Sequence, residues 1–295
     1  MSSRFKFFDE ENTKDSVQSS KFILTYPLGK LRYNILVSQN LNVNGRNFVN
    51  SRTHIIWSLI VEDVTSENII VAIKTEQNKV LNTTPDSTDL LNFSLIFNIP
   101  LEYIRLKLNK YGGIEDIMNQ NEIFDKWRQL KKNELLKYRD DMSMKGIFTA
   151  GDLEFSSSLK VLQQNILYTL FFNDVYNKEI ENNISNKHTF KTNSKLFQGN
   201  FIDFNHSQSI NKNDDKINVN DSFLQKMTDF SNLKKLYEKD YKVITGDNFS
   251  YSYGCNATSI YEAKEGYLEK TTARMEEKAN NALFHILQYQ IELIK

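Results

Sequence analysis

Leu31, Tyr33, Ile35 and Val37 recur at every second position, Leu41 and Val43 continue the phase, and the run stops at Asn44-Gly45. A period of two places these side chains on one face of a pleated strand and fits no helix. Asn-Gly readily takes up the two left-handed conformations of a tight hairpin turn, so an antiparallel return strand is expected. Ile55, Trp57, Leu59 and Val61 supply it, and after the polar turn Thr65 to Asn68 the run Ile69 to Thr75 predicts a third long strand. Ile56, Ser58 and Ile60 leave the opposite face of the return strand partly apolar as well. That composition suits central strands, covered on one side by helices and on the other by a ligand or a partner.

The alternation returns at Ile104, Leu106 and Leu108, before Gly112-Gly113 and the short run Ile114 to Met118. Near the C-terminus Phe249, Tyr251 and Tyr253 share a face, and Leu283, His285, Leu287, Tyr289, Ile291 and Leu293 alternate to the end. Between them Ser259–Ala263 and Tyr267–Met275 form a hairpin through Lys264-Glu265-Gly266. A two-residue loop would set Glu262 against Glu269, so a three-residue loop with Gly266 in the left-handed position is expected.

Helical spacing is strongest in the middle of the chain. Asp86 to Asn98 reads as helix up to the boundary set by Pro100. Asn119, three residues before Glu122, opens a helix whose stripe is Ile123, Trp127 and Leu130 and then, slightly shifted, Leu135, Tyr138 and Met142, ending near Lys145. A second helix from Asp152 to about residue 177 buries Leu159, Leu162, Ile166 and Leu170. Phe201 to Phe204 reads as strand, 205–216 as loop, and Phe223, Leu224, Met227, Phe230, Leu233 and Leu236 as an amphipathic helix capped by Asp221 or Ser222.

The expected fold is therefore α+β, with antiparallel strands in the N- and C-terminal parts and a central pair of helices packed on the sheet. Residues 1–20 read as a polar arm, 21–178 as a strand-rich half with the helix pair, and 179–200 as an Asn-rich linker or loop. Residues 201–295 read as a C-terminal helix plus strands, able to join 21–178 in one continuous domain.

Composition narrows the function classes. The chain has 295 residues, and Lys+Arg 37 balances Asp+Glu 37, so the net positive field of many nucleic-acid binders is missing. The densest apolar run, Ile166 to Phe172, is far shorter than the ~20 residues of a membrane-spanning helix. Met1 to Ser20 places acids where a secretion signal would be apolar. With Cys255 the sole cysteine, a disulfide framework is excluded and a reducing, cytoplasmic setting is expected. Abundant Asn, Lys, Ile, Phe and Tyr with few Pro and Gly suggest an AT-rich, bacterial genome.

Catalytic and metal motifs are weak throughout. Cys255 in Tyr-Gly-Cys-Asn-Ala, with His285 the tertiary candidate for its base, fits a small buried thiol better than a nucleophile. His54 and His285 open or lie in strands and read as hydrogen-bonded, half-buried imidazoles, while His188 and His206 read as loop residues. Asn211, Asn213 and Asp215 imitate the start of a calcium loop, but Lys216 replaces the required glycine and Ser222 the closing acid. No catalytic residue, metal or cofactor is expected. Trp57, Tyr251, Tyr253, Tyr261 and Tyr267, aromatics on predicted strands, form the candidate binding face. The favoured function is a non-catalytic adaptor, chaperone-like or immunity-type protein acting through a protein–protein surface. The alternatives are a carrier enclosing an apolar small ligand between sheet and helices, and a hydrolase or transferase whose site assembles only in the fold.

Overall fold

The computed structural model describes residues 23–83, 88–178, 184–186, 189–226 and 229–295. The polar arm 1–20, His188 and parts of the 179–200 segment lie outside these residues.

The first five strands are β1 (Gly29–Val43), β2 (Arg46–Val64), β3 (Asn68–Asn82), β4 (Tyr103–Asn109) and β5 (Ile114–Ile117). The later ones are β6 (Ile184–Asn186), β7 (Phe190–Asn193), β8 (Phe201–Asn213), β9 (Lys216–Gln225), β10 (Ser252–Glu262), β11 (Leu268–Asn280) and β12 (Leu283–Leu293). All belong to one sheet in the order β5-β4-β3-β2-β1-β12-β11-β10-β9-β8-β6, with β7 also pairing with β8. Every neighbouring pair is antiparallel. Two up-and-down meanders, β1 to β5 and β8 to β12, are thus joined at the centre by β1 and β12, in register from Tyr33 opposite Leu293 to Val43 opposite Leu283.

The β1–β2 turn is the one expected, with Asn44 and Gly45 at φ 50 and 77°. The strand register aligns like with like across the sheet. The row Ile55, Ile35, Ile291, Thr271, Ser259, Val219, Ile210 runs over seven strands on one face. Ser259 and Thr271, buried within it, hydrogen-bond each other at 2.9 Å. Alternate residues such as Lys270, Thr272, Arg274 and Gln290 face solvent. The sheet therefore buries one face, which is the usual logic of an antiparallel sheet.

Helices cover that face unequally. They are α1 (Thr88–Ile96), α2 (Gln120–Lys132), α3 (Lys145–Ser156), α4 (Leu159–Gln163), α5 (Ile166–Phe171), α6 (Ser231–Asp240) and α7 (Lys242–Thr245). The short α5 lies on the sheet centre, with Phe171 edge-on to Tyr33 at 4.7 Å and Tyr168 against Trp57 at 5.2 Å between ring centres. Asn165 starts it by accepting the Leu167 amide at 3.0 Å.

The expected central helix pair on an α+β scaffold is corrected by this arrangement: the molecule is chiefly one large antiparallel sheet with small helices. The first expected helix ends at Lys132, followed by 3-10 turns at Leu136–Tyr138 and Met142–Met144. The cause is in the stripe. Leu135 follows Leu130 by five residues and is fully buried, a spacing that a straight helix cannot hold on one face. The second expected helix, from Asp152, starts inside α3 and is broken at Ser157-Ser158 and again at Gln164-Asn165. α2 packs chiefly on α3 and the turn at Ile99–Leu101.

Two further expectations are corrected in the C-terminal part. Residues 205–216 are not a loop but most of β8 and its turn, and Phe223 and Leu224 belong to β9, with the helix beginning only at Ser231. The Asn/Asp sequence that imitates a calcium loop is the β8–β9 hairpin turn, with Asp214 at φ 50° and Asn213 opposite Lys216. No helix among the described residues is long and apolar enough to cross a membrane, which says nothing about strands.

Candidate ligand cleft

Where α5 ends its cover, a cleft of about 550 Å³ opens between the sheet and α1, within the size range of small-molecule sites. Its floor is the row Tyr289, Val37, Thr53 on β12, β1 and β2, flanked by Gln39 opposite Ser51 and by Ile55 and Trp57. One wall comes from α1 and the Ile99–Leu101 turn, the other from the start of α5, with Asn165 and Leu167 above and Tyr168 reaching down to Trp57 on the floor. Trp57, Tyr168 and Tyr289 are only 4, 7 and 7% exposed, so their rings make a floor rather than a rim.

Irregular pairing of β2 with β3 shapes the third side. Ile55 pairs with Asn78 and Trp57 with Thr75, so two residues of β3 answer one of β2 and Glu76 is extra. A bulge of this kind re-aims the side chains around it. Thr75 and Asn78 line the cleft. Glu76 Oε2 accepts from Arg32 Nε at 2.9 Å, and Glu76 Oε1 accepts from the Ser58 hydroxyl. Thr75 N donates to the Glu102 carbonyl at 2.7 Å, which fixes the rim carrying Glu102 to the strand. Asn78 Oδ1 is buried and has no hydrogen-bond partner among the described residues.

Gln39 Nε2 lies 2.9 Å from Nε2 of His285, which is buried on the same face. Burial pushes the His285 pKa down to about 4, so the ring is neutral at pH 7. Burial likewise raises the phenols of Tyr168 and Tyr289 beyond their ordinary value, leaving uncharged hydroxyls in the floor. The cleft can hold a molecule with an aromatic or aliphatic body and a few polar groups.

The aromatic binding face expected from sequence is dispersed by the fold. Trp57 lines the cleft. Tyr251, Tyr253 and Tyr261 are buried in the C-terminal half, and Tyr267 is half-buried beside the β10–β11 turn. Gln39, Ser51, Thr53, Asn78, Glu102, Tyr168 and Tyr289 were not among the sequence candidates. A signal for some of them exists: Gln39 is in phase with Val37 and Leu41, and Thr53 with Ile55, so polar groups sit at inward-facing positions.

The remaining titratable candidates are spread out. His54 is half-buried on the opposite face, with Nε2 2.6 Å from Asn34 Oδ1 and Nδ1 3.3 Å from Gln77 Nε2. His206, expected in a loop, is instead on β8 and buried, its Nε2 2.7 Å from Asp221 Oδ1 and its ring stacked on Phe223. Asp221 also accepts from Asn173 at 2.6 Å and from Gln208 at 2.9 Å, a buried polar network under the sheet's C-terminal half. Cys255 is buried, and desolvation pushes its thiol up to about 12, the reverse of an activated nucleophile. It pairs with Met275, which pairs with Leu287, so His285 is offset from it by two positions along the next strand but one. Among the described residues no three His, Cys, Asp or Glu side chains converge as a metal site.

No protein-family description matches the sequence. No curated protein matches it either. Among solved structures it is similar to a lipovitellin from a study of lipid–protein interactions, with 8% identity and a TM-score of 0.48 over 91% of this chain. The chain spans about a quarter of the lipovitellin chain's length, 25%. It is also similar, at 10% identity and a TM-score of 0.18, to an outer membrane channel from Pseudomonas putida F1, over 92% of this chain and 98% of that one.

Proposed function

We propose that the protein binds a small amphipathic molecule in the cleft between β1, β2, β3, β12 and α1. The observation that carries this reading is the combination in one cavity of buried aromatic side chains, Trp57, Tyr168 and Tyr289, with the polar side chains of Gln39, Ser51, Thr53 and Thr75. The apolar-ligand carrier considered from sequence is thereby modified: the lining is mixed, so a purely hydrocarbon ligand would leave polar groups unpaired.

Tryptophan fluorescence tests the proposal. Trp127 is buried at the α2–α3 contact, away from the cleft, so a Trp127→Phe protein leaves Trp57 as the sole reporter. Saturable change of its emission by an amphipathic probe, abolished by Thr53→Phe in a protein with unchanged circular dichroism, is the expected result. An emission indifferent to every amphipathic probe tried would remove the reading.

A protein partner is the second reading. It is favoured by Leu136, Met142, Ile147 and Leu153 on the helical segment, exposed by 53, 79, 41 and 69%. Apolar side chains this exposed within one short stretch suit a docking surface.

A further inference from the structure

We infer that the ligand of the cleft is a cationic amphiphile, an alkyl- or arylammonium compound, and not a fatty acid or other anionic lipid. This rests on the reading of the cleft as a ligand site and concerns the charge of its occupant.

The chain as a whole carries equal numbers of acidic and basic residues, yet the described lining of the cleft contains Glu76 and Glu102 and no Lys, Arg or His. The two acids differ in availability. Glu76 is already held by Arg32 and Ser58. Glu102 stands on the exposed rim, its backbone fixed by Thr75. A carboxylate or phosphate head entering the cleft would leave water, meet no counter-charge and face this acid, and an unpaired charge taken from water is strongly opposed. An ammonium head has the opposite balance: Glu102 at the rim is a counter-ion. Trp57 and Tyr168 can offer ring faces to a cation as well as to the apolar body of the ligand.

Isothermal titration calorimetry with decylamine, decanol and decanoate, each below its micelle concentration, separates the possibilities because only the head group differs. The expected order is decylamine tighter than decanol and decanol tighter than decanoate, with about tenfold or more between the two charged probes. Glu102→Gln should weaken decylamine about two- to fivefold, as for loss of an exposed ion pair, and leave decanol unchanged. Thr53→Phe should abolish binding of all three. If decanoate binds as well as decylamine, and Thr53→Phe blocks both, the charge inference is overturned while the cleft stands. Decylamine binding indifferent to both substitutions means the amine associates elsewhere on the surface, which overturns the inference. If none of the three binds, the cleft reading falls and the inference with it.

Discussion

Glu277 and His285 stand directly opposite each other across β11 and β12, both on the buried face of the sheet. Burial drives each towards its neutral form, raising the carboxyl and lowering the imidazole to about 4. Two titratable groups in one register pair therefore bias stability in opposite directions with pH.

For His285 the unfolded chain takes up a proton near pH 6.5 and the folded protein resists it down to about pH 4. The stability it contributes is complete above 6.5 and is lost as pH falls through that window, amounting to roughly 3 kcal/mol if the shift is fully expressed. His285→Gln, which can still bond Gln39, should remove this component. Urea unfolding of both proteins at pH 7 and pH 4.5 measures it. Parallel losses in the two proteins would show that the imidazole protonates in the folded state as easily as in water.

Glu277 works the other way. Desolvation is the first cause of its raised pKa, opposed by Ser194 Oγ, Tyr251 Oη at 2.8 Å and the amides of Lys195 at 2.6 Å and Leu196 at 3.2 Å. The folded state holds the proton better than the unfolded one, so stability is complete below about pH 4.5 and declines as pH rises through the folded pKa. Glu277→Gln should gain on the native protein over that rise, because the hydroxyls of Ser194 and Tyr251 can turn to accept from an amide. Glu277→Ala strands several buried donors and should cost about 2 kcal/mol or more at any pH. Equal stabilities of the native and Gln proteins at pH 4.5 and pH 8 would contradict the assignment.

Trp127 is fully buried, its Nε1 donating to Asp152 at 2.8 Å, and Gly151 lies under the same ring. A methyl group on Gly151 would come 2.8 Å from Cη2 of the indole and closer still to Cζ2. Gly151→Ala should destabilise by about 1 to 3 kcal/mol through overpacking, and Trp127→Ala by about 3 to 5 kcal/mol through the cavity it leaves. If Gly151→Ala is neutral in chemical denaturation, α2 and α3 are not in this contact.

Gly266 holds φ 76° in the β10–β11 turn, and a side chain there would overlap the Thr25 carbonyl. Its own carbonyl accepts from the Tyr176 hydroxyl at 2.9 Å. Gly266→Ala should therefore cost about 1 to 3 kcal/mol and speed amide exchange of Asn177, whose N–H is bonded to Leu24. Unchanged exchange there would show that the N-terminal segment is held by other contacts.

The long strands were legible because each has a run of apolar inward residues: Tyr33 and Ile35, Leu59 and Val61, Ile104 to Leu108, Leu287 to Ile291. β8 and β9 were not, since their inward positions include His206, Gln208 and Asp221, polar side chains that are buried with His206 and Gln208 both bonded to Asp221. A polar triplet spread over two strands carries no periodic signal. The false helix at 223–236 arose because the apolar end of β9 and the stripe of α6 fall by chance into one helical phase. The cleft was illegible for a related reason: it is formed by what α5 fails to cover, and the length of a helix is set by tertiary packing as much as by its own residues.

The central pairing of β1 with β12 has a consequence for biosynthesis. Val43 and Leu283 are partners, so β1 waits for some 240 further residues before its second neighbour exists, roughly 12 to 48 s at about 5 to 20 residues per second. Throughout that interval its unpaired amides and carbonyls are a template open to any strand in reach. The N-terminal meander is born with a sticky flank in the position that later becomes the middle of the sheet. Whatever shields that flank on the ribosome, whether a chaperone or the nascent chain's own helical segment, governs how much of the protein reaches the folded state, independently of how stable that state is.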